Sequence, residues 1–174
     1  ISVRGDGTLC CDSAAVVIND VRVGAHDDPQ AVFDFADGVD VVTFDHEHVP
    51  PQILRELAAR GIPVHPGPDA LIHAQDKVVM RQALTEAGLP CPAWAVVAAD
   101  TDERSAREIV GDFGAEAGWP IVLKTSRGGY DGRGQYRTQR VEDAAEAWRA
   151  LGASPCVVEQ AIDLQTELSV LVAR

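Results

Sequence analysis

One segment constrains this chain more than any other: Ile121-Val122-Leu123-Lys124, an apolar run ending in a lysine, followed at once by Thr125-Ser126-Arg127-Gly128-Gly129-Tyr130-Asp131-Gly132-Arg133-Gly134-Gln135. The four glycines between 128 and 134 let backbone amides turn toward one point without Cβ interference, and such a nest of N–H groups binds anions such as phosphate oxygens. Lys124, Arg127 and Arg133 against Asp131 leave the turn two charges positive inside a chain of formal net charge −12. The segment therefore reads as a nucleotide triphosphate site. It runs on into Gln135-Tyr136-Arg137-Thr138, so it is expected to join two strands as a hairpin flap, whereas a Walker-type loop would lead from a strand into a helix.

With 174 residues the chain is one large or two small domains with apolar content for a real core. The first fifty residues carry ten Asp/Glu against two Arg, which argues against a nucleic-acid surface there. No run approaches the roughly eighteen apolar residues of a membrane span, and a cytoplasmic setting is expected. Cys10, Cys11, Cys91 and Cys156 lack metal-ligand or disulfide-framework spacing and are assigned packing roles as reduced thiols. The chain opens without Met and closes on Glu167-Leu168-Ser169-Val170-Leu171-Val172-Ala173-Arg174, an alternating pattern read as a strand, so both ends are expected to be cut.

Along the chain, Val39–Phe44 reads as a strand, Pro51 opens a helix with apolar Ile53, Leu54, Leu57 and Ala58 before Gly61, and Ile62–His65 reads as a second strand. Strand, helix, strand at this spacing indicates a parallel βαβ unit, with Val16, Val17, Val21 and Val23 contributing an earlier strand and its approach. Asp76 leads a helix expected to bury Val79, Met80, Ala83, Leu84 and Ala87, closed by Gly88. The stiff Leu89-Pro90-Cys91-Pro92 connector is taken as the domain boundary. Beyond it come strand Ala95–Ala98, a helix with Ala106, Ile109, Val110 and Phe113, and strand Pro120–Lys124 with its flap. A helix with Val141, Ala144, Ala145, Trp148 and Leu151, and strand Pro155–Glu159, complete an α+β second unit.

A lysine ending one strand, the glycine-rich flap and the run Val157-Val158-Glu159-Gln160-Ala161-Ile162 together resemble the ATP-grasp superfamily. Gly128 to Gln135, Val158-Glu159-Gln160, Glu167-Leu168-Ser169-Val170, Val42 to Pro50 and Gln75-Asp76-Lys77 resemble, more narrowly, its 5-(carboxyamino)imidazole ribonucleotide synthase family. That resemblance implies an α/β chain of three parts. They are an incomplete Rossmann-like pre-ATP-grasp domain over 1–92, the α+β ATP-grasp small subdomain over 93–158, and a hinge and first strand over 159–174, truncated before the large subdomain.

The resemblance further implies that Lys77 and Lys124 meet the phosphates of ATP and that the flap, Gly129, Tyr130, Asp131, Gly132, Arg133, Gly134 and Gln135, closes over them. It places adenine against Glu159, Gln160, Ala161 and Ile162, whose exposed backbone would read the base edge, and the ribose hydroxyls on Glu167. Tyr130 and Asp131 are the catalytic candidates, on the bicarbonate or amine side. The implied reaction is ATP-driven carboxylation of 5-aminoimidazole ribonucleotide by bicarbonate through carboxyphosphate, with Mg2+ held by carboxylates outside this chain. The fragment alone is then expected to be inactive, and the complete protein to be a homodimer without nucleic-acid or membrane partners.

Plainer readings stand beside these. Many hairpins are glycine-rich for conformational reasons alone, Glu159 and Glu167 can be solvated strand-end residues, and Lys77 by itself can be a surface helix residue. Another ATP-grasp ligase and a non-catalytic ATP-binding module also remain open. Asp45-His46-Glu47-His48 invites a metal site, since histidines two apart on an extended strand point the same way. Its place at the carboxyl end of a strand favours a substrate-facing edge instead. Many family members read Glu-Phe-Glu-Asn there, so the contacts of His46 and His48 do not carry over.

Overall fold

The computed structural model describes residues 21–129 and 132–170, and the contacts divide the chain into two units, 1–75 and 76–174. Val16, Val17, Cys10, Cys11, Tyr130, Asp131 and the closing 171–174 lie outside the described residues.

In the first unit the order is α1 (Pro29–Ala36), β1 (Val42–Thr43), α2 (Pro51–Ala59), β2 (Val64–His65) and α3 (Pro68–Gln75). β1 and β2 pair in parallel, Val42 with Val64 and Thr43 with His65, so the expected βαβ unit forms. Its strands are shorter than the apolar runs, and Val21 and Val23 belong to no strand. Helix α2 starts at Pro51, where a missing N–H costs nothing, and buries Ile53, Leu54 and Leu57 on one face. It ends where Gly61 takes φ +82° and the Ile62 N–H donates to Leu57 O at 3.1 Å, a backbone reversal that only glycine makes without strain. Helices α1 and α3 are additions to the sequence reading. Each starts on a proline, and Asp28 caps α1 by accepting from the Gln30 N–H at 3.0 Å. The core is Ala36, Val42, Val49, Ile53, Leu54, Leu57, Val64 and Leu71.

The second unit runs α4 (Lys77–Glu86), β3 (Trp94–Val97), α5 (Glu103–Ala117), β4 (Ile121–Thr125), β5 (Gln135–Thr138), a 3-10 turn (Val141–Asp143), α6 (Ala144–Ala150) and β6 (Cys156–Gln160). Its antiparallel sheet has the order β3-β6-β4-β5. Alternation sends Val97, Ile121, Leu123, Cys156 and Val158 to one face, where they pack with Ala106, Val110, Phe113, Ala144, Ala147 and Trp148 of α5 and α6. Gly114 lets α5 approach closely, since a Cβ there would overlap the Trp119 ring. Cys156 is fully buried, and burial pushes its thiol up to about 11, in keeping with a packing role.

Two expectations are corrected here. No residue of α4 is buried: Val79, Met80, Ala83 and Leu84 are half-buried and Ala87 is exposed. The stretch 161–170 contains no helix or strand, so a strand beginning at Glu167 is not found in the described part. The division between units falls at Gln75/Asp76, ahead of the Leu89–Pro92 connector, because α4 bonds to the flap root and to β6.

Candidate functional site

On the face of the sheet opposite the core, Lys124 pairs with Gln135 and Val157 while Glu159 pairs with Val122 and Trp94. Lys124 and Glu159 are thus diagonal neighbours on one face, and the Lys124 Nζ donates to Glu159 Oε2 at 2.6 Å. Arg81, from α4, donates through Nε to the other oxygen, Oε1, also at 2.6 Å. The carboxylate between these two cations is nearly sealed, with a side-chain exposure of 4%. Burial raises the Glu159 carboxyl, but the hydrogen bonds and charges of Arg81 and Lys124 outweigh it and hold the group below the usual carboxylate range. Burial likewise works against the charge on Arg81, and Glu159 more than restores it.

The flap springs from the end of β4. Its root is pinned by Asp76, which caps α4 by accepting from the Val78 N–H at 3.0 Å and the Val79 N–H at 3.4 Å. The same carboxylate accepts from Ser126 Oγ at 2.9 Å and from Arg127 Nε at 3.0 Å. Backbone bonds add Lys77 N–H to Ser126 O at 2.9 Å and Ser126 N–H to Pro155 O at 2.8 Å. The Lys77 ammonium donates to the carbonyl of Gly128 at 2.8 Å. Across the base of the flap the Thr125 N–H donates to Gly134 O at 2.9 Å. Gly129 and Gly134, at φ +77° and +69°, face each other so closely that a Cβ on Gly134 would sit 3.0 Å from Gly129 Cα and 2.7 Å from Thr125 Oγ1. Glycine is required at both positions for conformation and for space, and the flap joins β4 to β5 as a hairpin.

Lys77 is therefore tied to the flap root, while Lys124 and Glu159, with Arg81, form a second hydrogen-bonded set on the sheet face. Gly132 and Arg133 are exposed in the turn, and Gln135 is exposed at the start of β5, paired with Lys124. At the hinge, the Gln160 N–H donates to Ala93 O at 3.0 Å and the Ala161 N–H to Pro120 O at 3.3 Å, so those two donors are committed to the protein and are not open to a base. Ile162 is exposed, and so is Glu167, farther along the irregular segment. Arg81 was missed from sequence. It lies four residues after Lys77 on the same helix face, and that spacing was the available signal.

In the first unit the rings of His26, His46 and His48 cluster, with centroids 5.0 Å apart for His26–His46 and 5.2 Å for His46–His48. Burial and then the two neighbouring imidazoles lower the pKa of His46. Gln75 Nε2 holds the loop beneath them, donating to Glu47 O and Val49 O at 2.8 Å each. A cavity of about 460 Å³ lies beside the carboxyl end of β1, lined among others by His26, Asp28, Thr43, Asp45 and His46. Among the described residues no group of three or more His, Cys, Asp or Glu side chains is arranged to hold a metal ion.

A ribonucleotide synthetase preATP-grasp domain model matches residues 6–75, and an ATP-grasp domain model matches residues 82–174, more than half of the chain. The chain belongs to the ATP-grasp family. Among curated ATP-grasp proteins it is similar to N5-carboxyaminoimidazole ribonucleotide synthase of Mycobacterium tuberculosis H37Rv, at 47% identity over 169 residues, 96% of this chain and 38% of the relative. The Corynebacterium ammoniagenes protein of the same name is 39% identical over 93% of this chain and 38% of the relative. Among solved structures, the carboxyaminoimidazole ribonucleotide synthase of Aspergillus clavatus in complex with ATP superposes with a TM-score of 0.75 at 27% identity, covering 87% of this chain and 39% of that one. The same fungal enzyme with ADP and 5-aminoimidazole ribonucleotide superposes with a TM-score of 0.70 at 26% identity, covering 82% and 35%. This ATP-grasp chain thus spans well under half the length of the relatives it matches. The pre-ATP-grasp and ATP-grasp matches bear out the expected fold class, a pre-ATP-grasp part followed by an ATP-grasp part.

Proposed function

We propose that the full-length protein carboxylates 5-aminoimidazole ribonucleotide with bicarbonate at the expense of ATP, giving N5-carboxyaminoimidazole ribonucleotide, ADP and phosphate. The observation that carries this reading is the 47% identity to the M. tuberculosis synthase, which extends over 96% of the chain and so through both of its units. The site is consistent with it: phosphoryl transfer depends on positioning and charge neutralisation, and a cation-bearing sheet face next to a glycine flap supplies both. Bicarbonate would attack the γ-phosphorus, ADP would leave, and the substrate amine would capture the carboxyl group of carboxyphosphate with release of phosphate.

In this reading the domains run 1–92, 93–158 and 159–174. Lys124 and Lys77 hold phosphate oxygens, and the flap from Gly129 to Gln135 covers them. The segment Glu159 to Ile162 lines the adenine, Glu167 binds the ribose, and Tyr130 and Asp131 serve the bicarbonate or amine side. Magnesium would neutralise the polyphosphate. In this reading its carboxylate ligands come from the part of the full-length protein that follows this chain. We assign that protein to the cytoplasm as a homodimer. The test is ADP release by the full-length protein with ATP and bicarbonate. Strong stimulation by 5-aminoimidazole ribonucleotide, with a carboxylated product, is expected. Turnover indifferent to that amine would overturn the reading.

A further inference from the structure

We propose that Arg81 is a positioning residue of the nucleotide site: by holding one oxygen of Glu159, it leaves the Lys124 ammonium a net positive field to present to a polyphosphate. The inference rests on reading Lys124 as a phosphate ligand.

A carboxylate 2.6 Å from Lys124 Nζ turns that lysine into half of a neutral pair, whose field falls off much faster than that of a single charge. Such a pair is a poor anchor for ATP. The second cation changes the sum, because Arg81 on Glu159 Oε1 and Lys124 on Oε2 make a cation–anion–cation row of net charge +1. Side-chain exposures of 15% for Arg81, 4% for Glu159 and 30% for Lys124 keep water from screening that charge as it would at the surface. The row is open at its Lys124 end, since Glu159 is nearly sealed and Arg81 approaches it from α4. Lys77, one turn earlier on the same helix, reaches the Gly128 carbonyl, so α4 steadies the flap and the charge row together.

A role confined to bracing the fold would make loss of Arg81 a matter of stability, indifferent to the charge on Glu159. The electrostatic role predicts that removing the Glu159 charge compensates for removing the Arg81 charge. The experiment is calorimetric titration of the full-length protein with a non-hydrolysable ATP analogue, with urea midpoints recorded for every variant. Arg81→Met is expected to weaken binding about tenfold or more, whereas Arg81→Lys keeps most of it. The double variant Arg81→Met/Glu159→Gln is expected to bind several-fold more tightly than Arg81→Met, because Lys124 again has no anion beside it, even though residue 159 also lines the adenine. Wild-type affinity in Arg81→Met, or a double variant as weak as the single one, overturns the inference. Should Arg81→Met fail to fold, tenfold loss in a folded Arg81→Lys protein does the same. A wild-type protein that takes up no ATP analogue would instead sink the nucleotide reading itself.

Discussion

At the scale of single residues, Glu159 joins the stability of the second unit to its chemistry. Its folded-state pKa lies below the ordinary carboxylate value because two cations hold the ionised form against the cost of burial. By linkage, the unfolded chain binds that proton more readily, so the stabilisation is fully present above the unfolded carboxylate pKa and disappears as pH falls through the folded one. Urea midpoints measured from neutral pH into acid should show the advantage of wild type over Glu159→Gln shrinking steadily with acidification. A constant difference would contradict the ion-pair account. Lys124 belongs to the same row, and Lys124→Ala in the full-length protein is expected to cost about 2 kcal/mol or more in ATP binding, read by calorimetry. Arg81 remains on Glu159 in that variant, so the fold should survive.

At the scale of elements, the α4 N-terminus and the flap root behave as one piece. Asp76 caps the helix and receives Ser126 and Arg127 from the flap, so Asp76→Ala removes a cap and a tether together. Capping alone is worth about 1 kcal/mol, and the lost tether adds to it; a shift in urea midpoint matching about 1–2 kcal/mol is expected. The flap itself depends on a close approach of backbones. Gly134→Ala places a methyl against Thr125 Oγ1 and Gly129 Cα at a positive φ, so nucleotide affinity should fall while the urea midpoint moves little, the flap lying outside the core. Loss of both together would instead mean that the hairpin supports the sheet.

At the scale of the whole chain, the residues after β6 matter most. Ile162, Leu164, Leu168 and Val170 are exposed at 54%, 64%, 86% and 80%. Four large apolar side chains so placed along nine residues favour association with other apolar surface. The chain as given is expected to self-associate, and Leu164→Ser/Leu168→Ser should shift light scattering toward the monomer mass. The reason is apolar exposure and not a free strand edge, since 161–170 form no strand. The cores are ordinary by comparison: Leu123→Ala, fully buried against α5 and α6, should cost about 2–5 kcal/mol by denaturant unfolding.

What the sequence determined by itself was local. The glycine spacing made residues 124–135 a flap between strands, periodicity located α2, α5 and α6, and Asp76 announced the start of α4, because each of these follows from the chemistry of neighbouring residues. Helices α1 and α3 were harder to see, since short amphipathic turns opened by a proline differ little from loop sequence. The meeting of Lys124, Glu159 and Arg81 could not be read that way. The residues are 35 and 78 positions from Glu159, and their contact required β6 to insert between β3 and β4 with α4 laid against it. Strand order and helix docking are decided by burial summed over the whole unit, so the charge row belongs to the tertiary structure alone.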